Sequence, residues 1–209
     1  DLNLWPQDTW TAQKDAKRIN LDCIDKTSIE KWKEGDLLLL SGKLLTARDG
    51  AHKKIADLLN KGEPLPAGIN LKNKFIYYVG PVNAVRNEVI GPAGPTTASR
   101  MDPFMEMMLA ELGVMGTIGK AERGESAVQT IKKYQSVYLS AVGGAAYLVS
   151  KAITSSKVVA FPELGMEAIY EFEVKDMPVM VSIDTHGKSI YSEAPSRWKN
   201  KSIPINSLK

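Results

Sequence analysis

Three stretches of this chain place cations and hydroxyls where an apolar run gives way to a new element. In Gly94-Pro95-Thr96-Thr97-Ala98-Ser99-Arg100, hydroxyls and free backbone N–H groups stand at the start of an expected helix, with Arg100 about one turn beyond Thr96. A helix N-terminus carries roughly half a positive charge and orphan donors, so a carboxylate or phosphate is favoured there. The guanidinium adds a two-pronged donor suited to a carboxylate. A plain cap by Thr96 or Thr97, with Arg100 in a surface ion pair, fits the same residues. Ala47-Arg48-Asp49-Gly50-Ala51-His52 lies where a long apolar run changes to helical spacing, a usual place for functional groups in α/β sheets. Here Asp49 is placed to cap the helix, Arg48 points out of the strand end and His52 follows one turn on. Two arginines at two such junctions fit an anion with two carboxylates, although Arg-Asp neighbours are often mutual surface pairs. Gly116-Thr117-Ile118-Gly119-Lys120 brings a lysine to the same edge if the strands are parallel; it lacks P-loop spacing. Met101, Met105 and Met108 form a packing stripe rather than a ligand set, and His186, in Asp184-Thr185-His186-Gly187, is a turn residue.

The elements that must position these residues follow from periodicity. Thr27-Ser28-Ile29-Glu30 has the form of a capping box opening a short helix that ends near Gly35. Residues 36–46 form a long apolar run broken by Ser41-Gly42-Lys43, hence a bent buried strand or two strands. Ala51, Ile55, Leu58 and Leu59 share a helical face that Gly62, Pro64 and Pro66 end. Residues 75–79 predict a buried strand, with Asn87–Ile90 as its partner, and the loop Gly91–Thr97 leads to a helix bearing Met101, Phe104, Met105, Met108 and Leu112. Strands at 117–119, 137–140 and 157–161 then alternate with helices at 126–134 and 144–151, the pattern of a partly parallel sheet. Residues 169–174, 179–184 and 189–191 predict antiparallel additions. No internal repeat is present. The domain expected over 27–192 is preceded by an arm or interdomain linker, 1–26, and followed by a tail, 193–209.

Composition narrows the possibilities. Of 209 residues, 44% are hydrophobic and 24% charged, which excludes a disordered chain. The net charge of +3 is too small to imply a nucleic-acid partner. One cysteine, Cys23, and two histidines cannot supply a disulfide framework or a self-contained Cys/His metal site. The sequence holds no membrane-length apolar run and no secretory leader pattern, so the expected setting is soluble, reducing and cytoplasmic. A first residue of Asp1 fits a fragment or the processed end of a longer protein.

Taken in order, Arg48-Asp49-Gly50-Ala51-His52, Gly94–Met101, Ile118-Gly119-Lys120 and Pro162-Glu163-Leu164-Gly165-Met166-Glu167-Ala168-Ile169 resemble the C-terminal domain, or β subunit, of the class I fumarate hydratase and L(+)-tartrate dehydratase family. The resemblance implies a swivelling β/β/α domain: a mixed, partly parallel sheet with helices packed on it and additional antiparallel strands. It implies half of a hydro-lyase that adds water to fumarate to give malate with a 4Fe-4S cluster, inactive without its other half. Three cysteines of that α domain or subunit would hold the cluster, with one iron acting as a Lewis acid. This chain would provide no metal ligand, Cys23 included. By motif position Arg48 and Arg100 resemble carboxylate anchors and Lys120 a third cation, with Thr97 a neighbouring donor. Thr96 resembles the hydroxyl that exchanges the proton at the substrate carbon not bound to iron. Threonine is a poor base unaided, which makes Asp49, or a carboxylate from the other half, the activating group. Glu163 and Glu167 belong to the pattern without an assigned chemical role; a structural part at the interface with the other half is the plain expectation. Glu-Leu-Gly-Met-Glu-Ala-Ile is closer to the fumarase version, whereas Ser99 stands where many fumarases have Gly. The implied partners are the α half, a dicarboxylate and further copies of the complete enzyme, with no nucleic acid and no membrane. An L(+)-tartrate dehydratase β subunit is the nearest alternative, and a non-enzymatic small-anion-binding module the more distant one.

Overall fold

A computed structural model describes residues 16–85, 87–141 and 146–199. Five strands run in parallel: β1 (Lys17–Asn20), β2 (Leu37–Thr46), β3 (Phe75–Tyr77), β4 (Gly116–Gly119) and β5 (Val137–Ala141). Two more, β6 (Ile153–Ala160) and β7 (Ile169–Ile183), are antiparallel to each other, and β7 runs antiparallel to both β5 and β2. Since β7 pairs with β2 on one edge and β5 on the other, the ladder β2-β3-β4-β5-β7 closes on itself, with β1 and β6 as additional strands.

Alternation along the strands divides the core in two. Phe75, Tyr77 and Val79 point into the ring with Leu40, Leu44, Leu139, Phe172 and Val181, while Ile76 and Tyr78 face outward into a second cluster. That outer cluster is covered by α2 (Asp49–Asn60), by the 3-10 helix Ala98–Phe104 with its π-helical continuation Met107–Glu111, and by α3 (Glu125–Lys133). Strand, strand and helix layers result, as a mixed, partly parallel β/β/α architecture requires. The methionine stripe is core: Met101, Met105 and Met108 are buried in the outer cluster. No helix among the described residues is long and apolar enough to cross a membrane.

Several expectations change. The short helix α1 (Lys26–Ile29) is capped by Asp25 rather than Thr27: the Asp25 carboxylate accepts from the Ser28 side chain, the Thr27 hydroxyl and the Ser28 N–H. Those donors lower its pKa. Part of the expected arm belongs to the sheet, because Lys17–Asn20 pairs with Leu38–Ser41; residues 1–15 lie outside the described residues. Residues 87–90 form no strand, since β3 is already flanked by β2 and β4; the loop is instead tied by Val82 N–H to Pro92 O and Gly91 N–H to Val82 O. The helix after that loop starts as a 3-10 turn, with Pro103 denying one amide donor. The strands expected at 169–174 and 179–184 are one strand, β7, which ends at Ile183 and is bent at Asp176 with φ of 50° where Ser41 Oγ accepts its N–H. Ser189 makes only an isolated bridge to Ile183, and helix α5 (Ile190–Lys199) runs across the expected boundary at 192. The helix expected from 144 is described from Ala146 to Lys151 (α4); its first two positions lie outside the described residues.

Candidate functional site

Because β2, β3 and β4 are parallel, their C-terminal ends share one edge, and all six residues singled out above are there. Arg48 follows β2 in extended conformation and is the N-cap position of α2, and Asp49 begins that helix. Beyond β3, Val79 bridges to Pro95, which folds the Gly/Pro loop back across the strand ends. Thr96 N–H donates to Tyr78 O, Lys120 N–H donates to Thr96 O, and Ala98 N–H donates to Lys120 O. The loop therefore joins the sheet edge between β3 and β4. The amides of Thr96 and Ala98, expected to be free for an anion, are spent on these bonds.

Those side chains meet at Asp49. Its Oδ2 lies 3.1 Å from Arg100 Nη2 and 3.8 Å from Arg48 Nε. Neither contact has hydrogen-bond geometry, so Asp49 Oδ2 and Arg48 Nε are compensated in charge but keep unused hydrogen-bonding capacity. Arg100 Nη2 also donates to Thr96 Oγ1 at 2.7 Å, which links hydroxyl, guanidinium and carboxylate through one nitrogen. Thr97 precedes the 3-10 helix without a side-chain capping bond and pairs with Lys120 in a single parallel bridge. The Lys120 side chain is exposed, with no ion-pair partner among the described residues. Arg48, Asp49, Thr96 and Arg100 are thus in direct contact, while Thr97 and Lys120 are brought alongside by backbone pairing. The chain turns after Lys120 through Ala121, at a left-handed φ of 64°, with its carbonyl held by the Tyr138 hydroxyl at 2.7 Å.

Three residues without an expected chemical role shape this edge. Glu167, on the 3-10 turn Pro162–Glu167 before β7, accepts from Gly50 N–H at 2.7 Å and faces Arg48 Nη2 at 3.5 Å; Glu163 pairs with Lys54 instead. His52 is fully buried, its ring 5.6 Å from Tyr78 and 5.4 Å from Phe104. His52 Nδ1 lies 2.8 Å from the Arg48 carbonyl, so Nδ1 carries the proton and Nε2 is left without a donor. Burial pushes its pKa down to about 4, outweighing the opposing hydrogen bond to Arg48. Arg123 is buried between Tyr78 and Tyr138, pairs with Asp102 at 2.6 Å and donates to Thr117 Oγ1. Spacing gave no sign of Arg123; the Glu and His were quoted in motifs, but what they touch is set by the fold.

Metal ligation does not fit the described residues. Among the described residues no three His, Cys, Asp or Glu side chains are grouped as a metal site. Cys23 is exposed on the segment after β1, whose neighbour Asp22 accepts from Lys43 N–H halfway along β2.

Residues 1–194 match the family model described as Fumarase C-terminus. The chain is 37% identical over 188 residues to Fumarate hydratase 2 of Leishmania major, covering 88% of this chain and 32% of that protein. It is 38% identical over 186 residues to the aerobic class I fumarate hydratase of Escherichia coli K12, covering 87% and 34%. Against the "Putative L(+)-tartrate dehydratase subunit beta" of Methanocaldococcus jannaschii it is 38% identical over 183 residues, covering 85% and 93%. The chain therefore spans about a third of these fumarate hydratases and nearly all of that β subunit.

Proposed function

The chain belongs to the Fumarase C-terminus family, and we propose that it is the substrate-anchoring half of a hydro-lyase that reversibly hydrates fumarate to malate. The observation that carries this is the meeting of Arg48 and Arg100 at Asp49, with Thr96 Oγ1 held by the same Arg100 nitrogen. Two guanidinium groups suit a doubly negative substrate, and Lys120 supplies a third cation beside Thr97.

In the hydration direction the Thr96 hydroxyl gives its proton to one substrate carbon, and the hydroxide derived from water ends on the other. Arg100, already donating to Thr96 Oγ1, stabilises the alkoxide left behind until a proton returns. Asp49, next to the same guanidinium, or a carboxylate of the other half, handles that proton. Thr97 adds a hydrogen-bond donor. Because the residues here do not fit a 4Fe-4S cluster, the cluster of this reading belongs to an α domain or subunit, and the site is completed at the surface between the halves.

A separate β subunit of an L(+)-tartrate dehydratase is the second reading, favoured by the near-complete coverage of the archaeal subunit. One assay separates the possibilities: the chain combined with a cluster-bearing α half, without oxygen, offered fumarate and L(+)-tartrate in turn. Malate formation is expected from fumarate. Arg100→Ala should lower kcat/KM at least about 100-fold, since it removes a charged anchor and the Thr96 partner together. Full activity in that variant refutes the anchoring role, and anion binding without turnover by any assembly favours a binding module.

A further inference from the structure

We propose that Glu167 is a positioning residue for Arg48, fixing the guanidinium at the mouth of the site. The proposal rests on the carboxylate-anchoring role argued above for Arg48. Glu167 is itself anchored: Oε2 accepts from Gly50 N–H at 2.7 Å, while Oε1 faces Arg48 Nη2 at 3.5 Å. Two glycines make room for this arrangement. A Cβ on Gly50 would stand 2.6 Å from Glu167 Oε2, and a Cβ on Gly80 would stand 2.5 Å from Arg48 Nη1 and 3.0 Å from Arg48 Cδ. Neither glycine has a positive φ, so what these positions exclude is volume. Arg48 is held from behind as well, its carbonyl accepting from His52 N–H at 2.9 Å and facing His52 Nδ1 at 2.8 Å. The backbone of Arg48 is fixed by α2, its stem by the space at Gly80, and its head by a carboxylate that arrives from the turn before β7.

A long arginine loses much rotamer freedom when it is held in one place. Glu167 restrains the guanidinium before substrate arrives, so ordering it is not charged against binding. Loss of Glu167 accordingly weakens substrate binding more than turnover.

The test uses a charge change and a volume change directed at the same atoms. Glu167→Gln retains an acceptor for Gly50 N–H and removes the negative charge; Gly80→Ala keeps every charge and crowds the guanidinium. In the complete assembly each should raise KM for fumarate about tenfold with kcat within about threefold, the pattern of lost binding common to ground and transition states. In an Arg48→Ala background Glu167→Gln should have almost no further effect, since the group it positions is gone. Unchanged KM in both single variants, or an undiminished Glu167→Gln effect without Arg48, overturns the proposal. A second readout uses this chain by itself: nitrogen-15 spectra of the arginine side chains, where the Arg48 Nε–H signal should shift or broaden in both variants and the Arg100 signal much less. An assembly inactive on fumarate, with the Arg48 signal still responding, refutes the hydratase reading and leaves the positioning role standing. An unresponsive Arg48 signal in an active assembly refutes the positioning role alone.

Discussion

His52 packs edge-on to Tyr78 and beside Phe104, with no access to solvent and one ring nitrogen lacking a donor. Its pKa falls from 6.5 to about 4 on folding, chiefly through burial. Between these values the unfolded chain binds a proton that the folded chain refuses. Stability from this group is therefore complete above about pH 6.5 and is lost as pH falls toward 4, by up to about 3 kcal/mol. His52→Phe should flatten this part of the profile: denaturant unfolding of the variant and the parent, repeated from pH 7.5 to 4, should show their difference narrowing by that amount. Parallel profiles would mean that the imidazole titrates normally. Much of the candidate site was legible at this scale, because Arg48, Asp49, Thr96 and Arg100 announce themselves as polar residues at the ends of apolar runs. Glu167 was not: its part depends on a contact with Gly50 across 117 positions, a distance over which a single sequence carries no signal of proximity.

Among the elements, the 3-10 turn carrying Arg100 depends most on a buried charge. Asp102, two residues after Arg100, accepts from Arg123 Nε at 2.6 Å and from Gly124 N–H at 2.7 Å, so one carboxylate pins the turn to the start of α3. The Arg123 side chain is 0% exposed, lies against the rings of Tyr78 and Tyr138, and keeps Nη2 without a partner. Breaking such a pair strands a charge in the interior, so Asp102→Ala should cost about 3–5 kcal/mol of unfolding free energy. Lys133→Ala, which breaks an exposed pair with Glu106, should change stability far less. Denaturant midpoints measure both, and equal losses would mean that Arg123 finds water or another partner. The strands and helices that frame the site were visible in the sequence because apolar alternation and helical faces are local. The continuity of β7 was not: Lys175-Asp176-Met177-Pro178 has turn composition, and the strand is carried across it by Met177 and Pro178 pairing with bent β2, whose register shifts between Leu40 and Gly42, and by Lys175 N–H donating to Ala152 O.

At the scale of the molecule, the polarity of the parallel strands separates the candidate site from the single thiol. Arg48, Thr96 and Lys120 gather at the C-terminal ends of β2, β3 and β4. The segment bearing Cys23 follows β1, lies beside the middle of β2 and leads to α1 and Trp32, which packs 6.2 Å from Phe75 at the opposite end of β3. An iron held by Cys23 would thus lie away from the groups proposed to hold substrate, and a lone thiolate falls short of the ligand number that iron–sulfur clusters require. Cys23→Ser in the complete assembly should therefore leave iron content, oxygen sensitivity and malate formation unchanged, within about twofold for the rate. Iron analysis before and after exposure to air, with activity followed in parallel, makes the comparison. Loss of iron on that substitution alone would move cluster ligation into this chain and overturn the division of labour. Retention of iron would agree with the proposed division, in which this half meets the substrate's charges and handles one exchangeable proton while a separate half carries the metal.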